Sequence, residues 1–409
     1  MSKLRLKNFG PIKEGFKDAN GEEWMDIKKV TVFIGNQGSG KSTVAKVIST
    51  LTWMEKAFNR GDLKNNLSKS DFWGIFKYQR IANYFNNETE INYIGETITI
   101  IYNKENLYPI IKLHEIGNYL VPKIMYVPAE RNFLTVVKNA YGIKNLPDTL
   151  YTFAEELQKG QLDLKDKKLD LPIGGMKFRF NQNDETSYLI GEDFELDMTE
   201  TSSGYQSFVP LYLVTKFLTD ELSKGENVLR EQLSVKQSVR RNKEISDLMF
   251  NNTISAKEKE NKLKKIDAKY LNRCFINIVE EPEQNLFPTS QHEILNCLLE
   301  FNNMIEGNKL IMTTHSPYLI NYLTLAVEAN GIKQKITSQE FEDKLKKIVP
   351  LDSTILSGDL LVYELNELDG SIKLLENYKG LPSDENKLNN ELGEGNESFA
   401  KLLELEQKL

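Results

Sequence analysis

Eight residues near the N-terminus have the types and spacing that phosphate binding needs. They read Gly-Asn-Gln-Gly-Ser-Gly-Lys-Ser from Gly35 to Ser42, with an apolar run before them and a run of helical spacing after them. Glycines let a loop turn its N–H groups inward, and the start of a helix adds a positive dipole end. We therefore expect a strand–loop–helix unit that binds ATP, with Lys41 at the β- and γ-phosphates and the Ser42 hydroxyl on Mg²⁺. The residues expected to contact the nucleotide here are Gly35, Asn36, Gln37, Gly38, Ser39, Gly40, Lys41, Ser42 and Thr43.

Two later apolar runs each end in residues suited to hydrolysis. The run that begins at Cys274 ends at Glu280 and Glu281, and the next one ends near His315, one of only three histidines. Glu280 is expected to bind Mg²⁺, usually through water, and Glu281 to polarise the attacking water. A neutral imidazole at His315 can hydrogen-bond the γ-phosphate or that water. The alternatives are an acidic loop at a strand end and a histidine with a structural role only.

A fourth segment, Ser202 to Gln206, precedes a run of helical spacing from Phe208 to Leu218. Ser203 is expected to cap that helix, and Gly204 to let a phosphate approach the exposed N–H groups, with Gln206 beside it. An ordinary capped helix start explains the same residues.

These segments together resemble the ABC/SMC-like ATPase superfamily. The phrases Glu280-Glu281-Pro282-Glu283 and Thr314-His315-Ser316-Pro317 look like its OLD/RecF-like branch, and within it the stand-alone ATPases of prokaryotic anti-phage systems, such as the Septu, retron-associated and PARIS ATPases. The resemblance implies an α/β fold, an ABC-type P-loop core whose mixed central sheet is flanked by helices and carries helical insertions. In chain order the matches are the Walker A loop (Gly35–Ser42), the ABC signature (Ser202–Gln206), the Walker B strand with its catalytic acid (Val279–Glu281) and the switch histidine (His315).

The resemblance also implies how such a chain acts. Two copies would enclose ATP, and hydrolysis would hold or release a separately encoded effector, either a nuclease or a toxin. Nothing after His315 resembles the TOPRIM nuclease of OLD proteins, so we expect no nuclease in this chain. The alternative is an SMC/RecF-like ATPase that binds DNA in repair or in chromosomes. The residues expected to act within one copy are Lys41, Ser42, Glu280, Glu281 and His315, and those expected to act on the neighbour's nucleotide are Ser203, Gly204 and Gln206.

Some positions depart from the superfamily pattern. Phe287 stands where the D-loop aspartate is usual, and no glutamine marks a Q-loop. Arg131 occupies the matching place in the chain, and two interpretations of it stay open. It reaches a phosphate or a neighbouring subunit, or it forms an ordinary surface salt bridge.

Composition limits the remaining possibilities. The chain has 409 residues, a net charge of −7 and two cysteines, so we expect a reducing, cytoplasmic location, no membrane segment and no evident nucleic-acid surface. The amphipathic C-terminal helix is expected to dock on its own protein, with docking of a partner as the alternative. The expected organisation is an ATPase core at 1–50, 90–130, 172–218 and 271–325, a helical side lobe at 51–88 and 131–168, a Lys-rich helical insertion at 219–270, and a C-terminal hairpin and helix at 350–409.

Overall fold

The computed structural model describes residues 2–406 except 107, 115, 116, 118, 138–142, 144, 225–232, 252, 379 and 380. The predicted side lobe, insertion and C-terminal region each include some of these positions, and the predictions for them lie outside the described residues.

A mixed central sheet forms the middle of the molecule. Its strands β4, β13, β14, β15 and β8 run parallel, and β15 pairs antiparallel with β16. Strands β4 and β13 are buried along their whole length, as expected for parallel strands covered on both faces. In spatial order the sheet contains β2 (Gly15–Phe16), β16 (Ser371–Leu374), β15 (Leu360–Leu365), β4 (Val30–Gly35), β14 (Lys309–Thr313), β13 (Cys274–Glu280) and β8 (Pro122–Val127).

Antiparallel sheets flank this centre. In β1, Leu4 and Leu6 alternate with half-buried residues, and both leucines pack into the same core as the helix after the phosphate loop. The first antiparallel sheet contains β3 (Met25–Ile27), β1 (Ser2–Lys7), β5 (Glu90–Ile94), β6 (Ile98–Tyr102) and β7 (Ile110–Leu113). The others contain β12 (Glu195–Asp197), β11 (Thr186–Ile190), β10 (Lys177–Asn181) and β9 (Leu169–Asp170), and β17 (Asn377–Tyr378) with β18 (Leu381–Pro382).

Helices cover both faces of the central sheet. Val32 and Ile34 of β4 belong to one hydrophobic core, whereas Phe33 belongs to the other, because successive side chains of a strand point to opposite faces. The predicted α/β class is therefore confirmed. The helices are α1 (Lys41–Arg60), α2 (Lys69–Ile75), α3 (Phe133–Val136), α4 (Asp148–Asp163), α5 (Ser203–Ser223), α6 (Val235–Met249), α7 (Ala256–Tyr270), α8 (Pro288–Asn303), α9 (Pro317–Lys333), α10 (Gln339–Lys346) and α11 (Lys387–Glu406).

The C-terminal hairpin lies inside the central sheet. Strand β15 pairs with the whole of β4, from Leu360 opposite Val30 to Leu365 opposite Gly35. The sequence analysis listed this hairpin apart from the core segments, whereas the structure pairs its first strand with β4. Its pairing partner is more than 300 residues away in sequence, so no local pattern predicts it.

The start of helix α11 packs on the core through Leu388, but its outer part is not packed on the described part of the chain as expected. Its apolar residues Phe399, Leu402, Leu403 and Leu405 are exposed among the described residues. Lys387, at its first position, is connected to the end of β15 because its N–H donates to Glu364 and its ammonium to Glu367.

The Lys-rich insertion contains the capped helices α6 and α7, whose N-caps Ser234 and Ser255 both form capping boxes. Arg240 of α6 forms an ion pair with Asp62, just beyond the end of α1. Within the described part of the chain, every helix is too short or too polar to cross a bilayer.

Candidate nucleotide site

The phosphate loop lies between β4 and α1, as its sequence predicts. The Lys41 ammonium donates to the carbonyl oxygens of Gly35 (2.8 Å) and Asn36 (2.9 Å), so it lies inside the curve of the loop. Gly40 has φ +100°, and a Cβ there would lie 2.5 Å from Ile12. Only glycine fits at this position, because the backbone is left-handed and the N-terminal segment packs directly against it.

The loop also contains a buried hydroxyl without a partner. Ser39 is 1% exposed, and its Oγ has no hydrogen-bond partner among the described residues. A buried unpaired hydroxyl destabilises the protein unless a ligand meets it. Phosphate oxygens accept from such donors, so the residues present fit the phosphates of a nucleotide.

Burial and nearby acids act in opposite directions on Lys41. Burial lowers the pKa of its ammonium to about 8, while the carboxylates of Glu281, Glu283 and Glu367 oppose the shift. The loop therefore contains a cation that is incompletely solvated and surrounded by negative charge. A phosphate placed here would favour its protonated form.

Glu280 and Glu281 follow β13 at the carboxyl edge of the sheet. Glu280 is buried and accepts hydrogen bonds from the Tyr126 hydroxyl and from the Ala129 N–H (3.2 Å). Each of its two oxygens accepts one hydrogen bond, so both keep lone pairs for a cation. Mg²⁺ in nucleotide sites takes one or two protein oxygens with phosphates and water, so Ser42 and Glu280 fit it without further acidic ligands.

Glu281 has a left-handed backbone, with φ +43°, and its N–H donates to Thr313 O (2.9 Å). This conformation directs the half-exposed carboxylate toward the next strand, where Oε1 lies 3.6 Å from His315 Nε2. Burial and the neighbouring Glu280 raise the pKa of Glu281. Burial and the Lys41 charge lower the pKa of His315, so its imidazole is neutral at physiological pH.

Glu283 positions the histidine segment, a role that the sequence analysis did not assign. Its Oε1 accepts from Thr314 Oγ1 (2.8 Å) and from the His315 N–H (2.7 Å). Burial raises the pKa of this carboxyl, and those donors oppose the shift. The acidic phrase after β13 was the available signal, but the partners lie on a different strand.

Arg131 is not in a surface salt bridge. It is fully buried, and its guanidinium donates to Ser207 O (3.0 Å), Glu280 O (2.7 Å) and Glu281 O (2.6 Å). The other interpretation, contact with a phosphate or a neighbouring subunit, has no support in this arrangement, because the planar fork is occupied by backbone carbonyls. Arg131 instead connects Ser207, near the start of α5, to the end of β13.

The segment predicted to be the signature begins α5, but its cap differs from the prediction. Ser202, not Ser203, is the N-cap residue, and it makes no side-chain cap bond. Ser203 is exposed, and Gly204 lies beside Asn285 O and Leu286. The Gln206 amide is buried and donates to the carbonyls of Met198, Thr199 and Thr201, so in this conformation it shapes its own loop.

The order of the strands in the central sheet brings the phosphate loop, the paired glutamates and His315 together. Strand β14 lies between β4 and β13, so His315 lies between the phosphate loop and the paired glutamates. The fold and this arrangement resemble those of P-loop ATPase domains of the ABC/SMC-like type.

One family model matches a short part of the chain. Residues 277–321, which include Glu280, Glu281 and His315, match the family model described as "AAA domain, putative AbiEii toxin, Type IV TA system". Among curated proteins, no match was found.

Solved structures resemble the chain weakly. The SMC head domain from Thermotoga maritima is 12% identical, with a TM-score of 0.39, and 92% of this chain and 98% of that chain are covered. An ATP-binding cassette dimer in a post-hydrolysis state with ADP and Pi is 12% identical, with a TM-score of 0.32 and coverage of 92% and 100%. The Smc head domain derived from Pyrococcus furiosus is 9% identical, with a TM-score of 0.39 and coverage of 92% and 96%. At such scores the strand order and the phosphate loop, not these matches, carry the assignment.

Proposed function

We propose that this chain binds and hydrolyses ATP. The observation that carries the proposal is the convergence of Lys41, Glu281 and His315 at the carboxyl ends of adjacent strands. Phosphoryl transfer to water needs positioning, charge neutralisation and an oriented nucleophile, and these residues supply each of them.

The residues have distinct roles in hydrolysis. Lys41 neutralises charge on the β- and γ-phosphates, and Glu281 accepts a proton from the attacking water as its oxygen bonds to the γ-phosphorus. The bond from that phosphorus to the bridging oxygen breaks, leaving ADP and phosphate. His315, neutral, hydrogen-bonds the γ-phosphate or the water. Mg²⁺ on Ser42 and Glu280 supplies charge stabilisation for the phosphate oxygens.

Two copies enclose ATP in this proposal. Ser203 and Gly204 lie at the exposed start of α5, where N–H groups and the helix dipole favour a phosphate of the neighbour. Gln206 supports that loop from beneath.

We further assign the chain to a cytoplasmic anti-phage system, as the ATPase that holds or releases an effector. A connected path supports this role. Asn36 of the phosphate loop donates to Glu367 (3.2 Å), and Glu367 pairs with Lys387 at the start of α11 (2.6 Å). The other end of α11 presents exposed apolar residues, so this path connects the phosphate loop to a helix whose outer end fits a protein partner.

Phosphate release from Mg-ATP tests the enzymatic part. Wild-type protein should turn over ATP, and Lys41→Ala should lose both turnover and tight ATP binding by calorimetry, since a charge-assisted contact is removed. Unchanged affinity in the variant would contradict the site.

Affinity capture from the native host, with mass spectrometry, tests the effector. A nuclease or toxin should be enriched when the protein is held with ATP rather than ADP, and Leu402→Asp should lose it while keeping ATP turnover. The same protein set with both nucleotides would contradict regulation by ATP.

A further inference from the structure

A cavity of about 630 Å³ lies beside the ATP site and is separate from it. It is enclosed by α1, the end of α2 with the segment after it, the edge strand β8 and the start of α4. The lining residues on α1, from Ser49 to Trp53, lie two to three turns beyond Lys41. Small-molecule sites have volumes of roughly 300–1,000 Å³, so this cavity has the size of one.

Aromatic and apolar side chains form most of its surface. Trp53 and Tyr78 are 40% and 41% exposed, so they lie at the opening, while Ile75 and Met125 line the walls. The Tyr78 hydroxyl lies 2.9 Å from Thr152 Oγ1, which fixes the ring at the entrance. Exposed aromatic faces of this kind stack on planar rings.

One buried polar group inside the cavity has an unused hydrogen-bonding atom. Gln79 is 2% exposed, and its Nε2 donates to Ser49 Oγ (3.1 Å), whereas Oε1 has no partner among the described residues. A buried amide oxygen without a donor is costly, and a ligand N–H or O–H removes that cost. An amide side chain also pairs well with the edge of a heterocyclic base.

The charged side chains that line the cavity have no net charge. Lys77 and Asp148 contribute one charge of each sign, which favours a neutral ligand over an anionic one. We propose that this cavity binds a nucleoside, with its base against Trp53 and Tyr78, a base N–H on Gln79, and ribose hydroxyls on the Asp148 carboxylate.

One residue, Tyr126, connects this cavity to the ATP site. Tyr126 lines the cavity, and its hydroxyl donates to Glu280, the residue assigned to Mg²⁺. We therefore expect an occupant that shifts Tyr126 to change ATP turnover. This consequence rests on the proposed function, whereas nucleoside binding itself does not.

Filling the cavity provides the test. Gly74 lines it, and a Cβ there meets nothing within 4 Å, so the backbone has room for a side chain and we expect the leucine of Gly74→Leu to occupy part of the cavity. Gly331→Leu is the matched control, because a Cβ at that position in α9 also meets nothing within 4 Å. Calorimetry would measure binding of adenosine, guanosine, cytidine and uridine to wild-type protein and to each variant, with Lys41→Ala reporting on the ATP site.

At least one nucleoside should bind wild-type, Gly331→Leu and Lys41→Ala proteins alike, and at least tenfold more weakly to Gly74→Leu. Absence of binding by all four at millimolar concentration, or undiminished binding to Gly74→Leu, overturns the site. Nucleoside should also change ATP turnover in wild type and not in Gly74→Leu. If a nucleoside binds but ATP turnover does not change, the connection through Tyr126 is overturned. If the wild-type protein does not turn over ATP at all, only the proposed ATPase function is contradicted, and the nucleoside site is not.

Discussion

Glu281 occupies a backbone conformation that residues other than glycine seldom adopt. Its φ of +43° turns the chain at the end of β13, so that Glu280 stays buried while Glu281 faces His315. Two consecutive carboxylates thereby obtain different environments. The buried one accepts fixed hydrogen bonds, and the partly exposed one has the raised pKa that suits a base.

Replacing this base separates ATP binding from hydrolysis. Glu281→Gln should lower turnover by on the order of a hundredfold or more, because an amide does not accept the water proton. ATP affinity should remain close to wild type, since the contacts of Lys41 persist. Phosphate release and calorimetry on the same preparation measure both quantities, and turnover within a factor of two of wild type would mean that another residue is the base.

Lys41 predicts a pH dependence of ATP affinity. Its folded-state pKa of about 8 lies below the ordinary value, so the free protein loses the ammonium proton as pH rises through about 8. ATP binds the protonated form, and affinity should therefore be level below that pH and fall by about tenfold per pH unit above it.

Calorimetry from pH 7 to pH 9.5 measures this fall. Lys41→Arg is the control, since its guanidinium keeps its charge across the range and its affinity, though weaker, should not vary. A level wild-type affinity over the same interval would contradict this account, because Lys41 would then either keep its proton across the range or not contact the phosphates.

At the scale of elements, Arg131 connects parts of the site that are distant in sequence. It lies in the turn after β8 and donates to carbonyls at the start of α5 and at the end of β13. A guanidinium matches this arrangement because its donors form a planar fork. The position of α5 relative to the catalytic glutamates thus depends on one buried side chain.

Arg131→Ala should destabilise the protein by at least about 3 kcal/mol, because several buried carbonyls lose a charged donor. Urea unfolding measures this change. Arg179→Ala is the matched control, since Arg179 pairs with Glu195 at the surface and its loss should cost under about 1 kcal/mol. Equal, small effects of the two substitutions would contradict the role of Arg131.

Local sequence patterns predicted the units that carry the chemistry. The loop from Gly35 to Ser42 and the acids after β13 were found because each motif and its strand are contiguous. The burial of Arg131, the place of β15 beside β4 and the exposed face of α11 were not found. They depend on pairings between distant segments, which charge and periodicity within one segment do not encode. The in-trans roles of Ser203 and Gly204 stay predictions.

At the scale of the whole molecule, the account requires two copies to meet over ATP. The exposed start of α5 is the surface assigned to the neighbour's phosphate, and Gly204 is its central residue. A Cβ at Gly204 would lie 3.0 Å from Asn285 O within the same chain, so any substitution there carries a small steric effect. Gly204→Ala reproduces that effect without charge and serves as the control.

Gly204→Asp should block association driven by ATP, because its carboxylate would face the γ-phosphate of the neighbour. ATP binding to the single copy should survive, since the phosphate loop is unchanged. Association of Gly204→Asp equal to that of Gly204→Ala would mean that this segment is only a helix start.

Light scattering on the Glu281→Gln protein tests the central claim most directly. Without hydrolysis, Mg-ATP should double the particle mass, whereas ADP should leave it unchanged. The double variant Glu281→Gln with Gly204→Ala should show the same doubling of mass. The double variant Glu281→Gln with Gly204→Asp should not. A mass that does not change with Mg-ATP, in a protein that binds ATP by calorimetry, would contradict the enclosure of ATP between two copies.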